Sequence, residues 1–282
     1  MIKICRLRFI IQFLVMFIIA ASLSACDTTT HKKITSMKTI KAIRTKAENG
    51  NTDALHILRQ QAEMGNIYAE FQLGKYYGTV PHFINGYSPA RVNKDWSLYG
   101  YWIEKSAEDA EKHNNAYFEN YLGTEFIALL PGFPNHAKIG LKLFKKAVAL
   151  GYVRAEKNLG SVYYYGKLED KSIPRDYSKS TRFYSMAALK GDAGAETDLG
   201  RAYAHGYGIT QNYSKAVYWF RKAVEQGSAR AEYHLGDAYY LGHGVPQNTM
   251  MAIKLWKNSI SSKQTGMFRY YAQKKLNMIE KR

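Results

Sequence analysis

The chain has 282 residues, a formal charge of +17 and only two cysteines. So few cysteines exclude a disulfide framework and leave stability to packing, for which this length suffices. The basic excess points to acidic partners and raises encounter rates with them in a salt-dependent way.

At the N-terminus Lys3, Arg6 and Arg8 precede an apolar stretch from Phe9 to Ala21, broken only by Gln12, and then the polar run Asp27 to Lys33. That is the layout of an export signal. The apolar part is shorter than the roughly 20 residues of a retained span, so cleavage is expected. Leu23-Ser24-Ala25-Cys26 resembles the bacterial lipoprotein signal. The resemblance implies acylation of Cys26, whose lipid chains anchor the protein at the periplasmic face of the cell envelope. Asp27 resembles the signal for retention at the inner membrane. Residues 1–26 read as the signal with its lipobox cysteine; removal of Cys5 with the signal leaves Cys26 as the only mature cysteine, and nucleic acid is not an expected partner outside the cytoplasm. Residues 27–37 read as a tether and 38–68 as capping helices, with Ile40 to Ala47 and Ala54 to Gln61 as their cores.

From residue 69 the chain repeats itself. Ala-Glu-x-x-Leu-Gly occurs at 69–74, 155–160, 195–200 and 231–236, and Leu122-Gly123 marks a degenerate copy with Phe118 in place of the alanine. Three residues beyond each glycine stands Tyr77, Phe126, Tyr163, Tyr203 or Tyr239, one turn further along a helix A. Gly166, Gly206-Tyr207-Gly208 and Gly242-His243-Gly244 end that helix by adopting positive φ. Asp95, Asp176, Asn212 and Asn248 are N-caps of a helix B, and Trp102, Phe183, Trp219 and Leu255, seven residues on, are its inward bulky positions. The spacings Ala147-x3-Gly151-x3-Ala155, Ala187-x3-Gly191-x3-Ala195 and Ala223-x3-Gly227-x3-Ala231 read as small residues that let hairpins stack.

This pattern resembles the Sel1-like repeat, a relative of the tetratricopeptide repeat. Residues 195–266 carry it most closely, through Ala195, Leu199, Gly200, Tyr203, Gly206, Gly208, Lys215, Ala216, Trp219, Lys222, Ala223 and Gly227. The resemblance implies an all-α fold, a right-handed solenoid of antiparallel helix pairs. It has five repeats over 69–266, the first two degenerate, and a basic capping helix over 267–282. In that last helix Tyr271 and Ala272 are aligned with Leu-Gly, and its outer face is expected to be polar. The family's members act mostly as protein-interaction scaffolds.

Departures from the repeat nominate contact residues. The first A–B turn carries about nine extra residues within Thr79 to Lys94, including Phe83, Tyr87 and Arg91, types enriched at binding hot spots. Leu129 to Pro134 is a second such turn. Lys142, Lys145 and Lys146 open the basic span Lys142 to Lys190, which holds eleven cations against four acids. Tyr207, Tyr218 and Tyr240 lie beside the signature aromatics as further candidates.

Chemistry finds no foothold. A nucleophile elbow and a His-Glu-x-x-His motif are absent from the sequence, and the histidines do not recur at equivalent repeat positions. Neither a cofactor nor a metal is expected, nor catalysis. The expected role is a membrane-anchored scaffold for an acidic protein. Some lipoproteins with these repeats resemble immunity proteins that neutralise phospholipase effectors delivered by type VI secretion. The competing role is a scaffold for envelope assembly, in peptidoglycan maintenance or polysaccharide export.

Overall fold

A computed structural model describes residues 36–79, 96–112, 114–128, 136–166, 173–261 and 266–280. The described residues form thirteen helices and no strand. Three leading helices, α1 (Met37–Glu48), α2 (Thr52–Glu63) and α3 (Ile67–Thr79), pack against one another, and α3 also opens the first hairpin with α4 (Trp96–Lys112). Four further hairpins follow, made of α5 (Ala116–Ala128) with α6 (His136–Ala149) and α7 (Val153–Tyr165) with α8 (Tyr177–Leu189). The other two pair α9 (Ala193–His205) with α10 (Tyr213–Glu225) and α11 (Ala229–Leu241) with α12 (Thr249–Ser261). Helix α13 (Gly266–Glu280) closes the array against α12.

Each hairpin is built on one close approach. A Cβ added at Gly200 would lie 2.5 Å from the Phe220 ring, and one at Gly160 would lie 2.5 Å from Tyr184. Gly74, Gly123 and Gly236 meet Ile103, Phe144 and Trp256 in the same way. Tyr184, Phe220 and Trp256 thus stand eight positions beyond the caps Asp176, Asn212 and Asn248, while Asp95, the cap expected for α4, lies outside the described residues. The neighbour at seven, expected from sequence to be the inward one, packs beside the pressed residue: Trp102 and Leu255 are buried, Phe183 and Trp219 half-buried. Asp176, Asn212 and Asn248 cap helices α8, α10 and α12 as expected, accepting from the amides of Lys179, Lys215 and Met251 at 2.9 Å.

The turns divide their work differently from the sequence reading. Gly227 has φ +79° and open space where a Cβ would stand, so it serves the left-handed B–A turn and not hairpin stacking. The alanines do the stacking: Ala187, Ala195, Ala223 and Ala231 are fully buried. In the A–B turn the second glycine is the crowded one. A Cβ at Gly208 would lie 2.3 Å from the backbone of Tyr177, because the turn crosses the start of the preceding helix B. Tyr207 stacks there on Tyr177 with ring centroids 5.0 Å apart, and His243 repeats the contact on Tyr213 at 4.2 Å.

Helix α13 corrects the expected register. Leu73, Leu122, Leu159, Leu199 and Leu235 are all buried, whereas Tyr271 is 41% exposed and cannot hold the leucine position. The buried pair is Ala272 and Leu276, packed on Ala252 and Trp256. Ala272-x-x-x-Leu276-Asn277 therefore overlays Ala231-x-x-x-Leu235-Gly236, five residues later than the sequence alignment placed it. The exposed surface of α13 is mixed: Met267, Tyr270, Tyr271 and Met278 stand beside Arg269, Gln273, Lys274, Asn277 and Glu280.

Candidate functional site

The fourth residue of every helix A is a glutamate: Glu70, Glu119, Glu156, Glu196 and Glu232. Its carboxylate is turned into the hairpin, and the partner helix B answers it. Lys105 reaches Glu70 at 2.5 Å, Lys146 reaches Glu119 at 2.8 Å, and Lys190 donates to Glu156 at 2.5 Å. Gln226 takes that place for Glu196 at 2.7 Å. Burial raises the pKa of Glu70 in spite of Lys105, and burial alone raises that of Glu232.

The helix A faces that meet from one repeat to the next are neutralised too. Asp198 sits between Arg201 at 3.3 Å and Arg230 at 2.9 Å, Arg201 reaches the Tyr164 hydroxyl at 3.3 Å, and Asn158 donates to Asn120 at 2.8 Å. Lys75 pairs with Glu125 at 2.7 Å and Lys275 with Asp237 at 3.2 Å. Polar groups in this row are largely spent on holding the array together.

The outer faces of the B helices are different. Helices α6, α8, α10 and α12 together carry eleven lysines and arginines and one acid, Glu225, while α5, α7, α9 and α11 carry four cations and seven acids; the first hairpin departs from this, since α4 carries Lys105 and Lys112 against Glu104, Glu108, Asp109 and Glu111. Because the repeats stay in register, Lys142, Arg182 and Lys254 fall on equivalent exposed positions, with Tyr218 at the fourth. Lys138, Lys145, Arg221 and Lys257 are exposed on the same surface. From α5 onward charge is sorted between the A and B helices, and the B helices are left positive.

This surface holds part of the set nominated from sequence. Lys142 and Lys145 are on it. Lys146 is not: its side chain is turned inward to Glu119 and the Ala110 carbonyl. Tyr218 is 53% exposed on α10, edge-on to Trp219 and beneath the Lys222 ammonium. Tyr207 lies in the turn cluster with Tyr164 and Tyr177, and Tyr240 packs against Trp256, so neither joins the basic surface. Phe83, Tyr87 and Arg91, the second long turn and Cys26 lie outside the described residues. Three histidines near successive repeats do not converge. His205 stacks on Tyr207, His243 on Tyr213, and His234 is enclosed between Phe220 and Phe268. Burial first, then the charges of Arg201 and Arg230, push His234 well below its ordinary pKa.

Sequence reasoning missed the glutamate ladder, although Glu recurs beside the signature alanine. It also missed the sorting of charge, which is readable once helices A and B are tallied separately. Compared with known proteins, the chain matches no curated sequence. In fold it is similar to a crystal structure of a protective antigen from uropathogenic Escherichia coli strains, at 26% identity and TM-score 0.56, covering 82% of this chain and 44% of that one. The chain thus spans less than half of that antigen's length. A Sel1 repeat protein from Oxalobacter formigenes is similar at 23% identity and TM-score 0.51, over 82% of this chain and 87% of that one. An immunity protein from Pseudomonas aeruginosa stands further off, at 17% identity and TM-score 0.39 over 82% and 84%, and bears no weight here. The Sel1 repeat family matches residues 117–152, 153–192, 193–228 and 229–262. With four matches in register over just over half its length, the chain belongs to the Sel1 repeat family.

Proposed function

We propose that this Sel1 repeat chain is an envelope-anchored scaffold that captures an acidic protein on the outer faces of its B helices. The observation that carries the reading is the in-register row Lys142, Arg182 and Lys254 on helices α6, α8 and α12, which with α10 carry ten cations besides the inward-turned Lys146 and one acid. An anionic partner gains most from such a surface through association rate and orientation. Acylation at Cys26, with the tether 27–37, sets the scaffold beside the membrane. The partner that best suits a basic surface held there is an incoming phospholipase effector, which binding alone neutralises.

The test is protection. Cells made to produce a phospholipase effector in the periplasm should grow when the native chain is present. They die when it carries Lys142→Glu, Arg182→Glu and Lys254→Glu. Equal protection by a folded triple variant contradicts the surface. Release of the Cys26→Ser variant from the membrane fraction tests the anchor separately, and its retention contradicts the lipoprotein assignment.

A further inference from the structure

The second residue of helix A is Tyr68, Tyr117, Arg154 or Arg230 in four repeats, and α9 has Gly194 there. Two cations converge on the gap from the helices on either side. The stem of Lys157 on α7 crosses it, with Cδ 3.4 Å from where a Cβ at Gly194 would stand, and Arg230 on α11 donates to the Gly194 carbonyl at 2.9 Å. An open cleft of about 540 Å³ lies over this crossing, with Met267 and Phe268 of α13 as its apolar wall. That volume is within the roughly 300–1,000 Å³ of small-molecule sites.

Charge in the cleft is unbalanced. Lys157 is half-buried, and its ammonium makes no hydrogen bond or ion pair among the described residues. No acid is among the described residues that line the cleft. The nearby carboxylates are committed elsewhere: Asp192 accepts from the Ala195 amide at 2.8 Å, Gln226 holds Glu196 at 2.7 Å, and Asp198 is shared by Arg201 and Arg230. Asp198 does not cancel Arg230, whose charge still helps to push His234 below its ordinary pKa after burial and Arg201. Phe268 is fixed against Tyr233 and His234, with its ring centroid 5.6 Å from each. Two cations beside a held apolar ring suit a carboxylate carried next to an apolar group. The last residue of a peptide supplies both on one Cα, whereas an aspartate or glutamate side chain supplies only the charge.

We propose that the cleft at Gly194 binds the C-terminal carboxylate of a peptide that ends in an apolar residue. The carboxylate bridges Lys157 and Arg230, and the last side chain lies on Phe268 and Met267. The site shares no residue with the row Lys142, Arg182 and Lys254, so the two surfaces stand or fall separately.

The full chain is titrated with the tetrapeptide Ala-Ala-Ala-Phe as the free acid and as the C-terminal amide, with binding followed by ligand-observed NMR. The free acid should bind at least about tenfold more tightly than the amide, because only it pairs with both cations. Lys157→Met should weaken the free acid about tenfold and remove most of its advantage over the amide. Gly194→Tyr, which places in α9 the side chain that Tyr117 supplies in α5, should fill the cleft and remove binding. The Lys157 ammonium holds no other group, so circular dichroism should report an unchanged fold for Lys157→Met even where Gly194→Tyr perturbs it. The variant carrying Lys142→Glu, Arg182→Glu and Lys254→Glu should bind the free acid as the native chain does. Equal affinity for acid and amide, binding of neither at up to about 1 mM, native affinity in Lys157→Met, or loss of binding in the triple variant overturns the proposal.

Discussion

Lys105 on α4 holds Glu70 on α3 at 2.5 Å while also holding Asp109 of its own helix at 2.6 Å. The three groups are not equivalent. Glu70 is fully buried, with burial raising its pKa, whereas Asp109 is held down at about 2: burial opposes its charge, but bonds from Lys105 and Lys112 outweigh that. The two ends of the pair should therefore respond differently to mutation.

Lys105→Met leaves the Glu70 carboxylate buried and unanswered and should cost about 3 kcal/mol in urea unfolding. Glu70→Gln leaves Lys105 with Asp109 and should cost well under half of that. Equal losses would show that the ladder acts through packing and not charge.

Gly200→Ala should destabilise the chain by about 1–3 kcal/mol, because the new Cβ meets Phe220 at 2.5 Å. The sign is informative, since the same change in an open helix stabilises by about 1 kcal/mol. A double-mutant cycle with Phe220→Leu should recover part of the loss. Additive losses would place the glycine's role elsewhere.

Gly208→Ala and Gly227→Ala separate close approach from backbone conformation. Both residues have positive φ, but only Gly208 is crowded, by the backbone of Tyr177. Gly227→Ala should cost about 1 kcal/mol, the strain of a left-handed residue, and Gly208→Ala distinctly more by chemical denaturation.

His234 should make stability fall in mild acid. Its folded pKa is depressed by burial, so the unfolded chain binds the proton first. The stabilising contribution is present above the unfolded value of about 6.5 and is lost as pH falls from there toward the folded value. The slope attributable to this one proton is at most about 1.4 kcal/mol per pH unit. His234→Phe keeps a ring between Phe220 and Phe268 and should flatten melting temperature between pH 6.5 and 5.

Much of the fold was legible because leucine, glycine and aromatic recur at fixed spacing, and each recurrence corresponds to one contact that the hairpin needs. The role of Gly227 was not legible: a glycine for positive φ and a glycine for close approach look alike until the space around the Cβ position is known. Nor did the sequence separate Lys145 from Lys146. They are adjacent, and only the position of Glu119 on the facing helix turns one inward and leaves the other outside. The register of α13 was misread for a related reason, since Tyr271-Ala272 mimics Leu-Gly in size order while exposure assigns those places to Leu276 and Asn277.

The basic outer layer is best tested by affinity capture from the cell envelope with the full native chain. The Lys142→Glu, Arg182→Glu and Lys254→Glu variant is run in parallel at low and high salt. Capture by the native chain alone of one acidic protein, released by salt, is the expected result. A phospholipase in that position makes the chain an immunity protein, and cell-wall or export components make it an assembly scaffold. Recovery of the same partner by both chains at both salt concentrations would contradict docking on Lys142, Arg182 and Lys254.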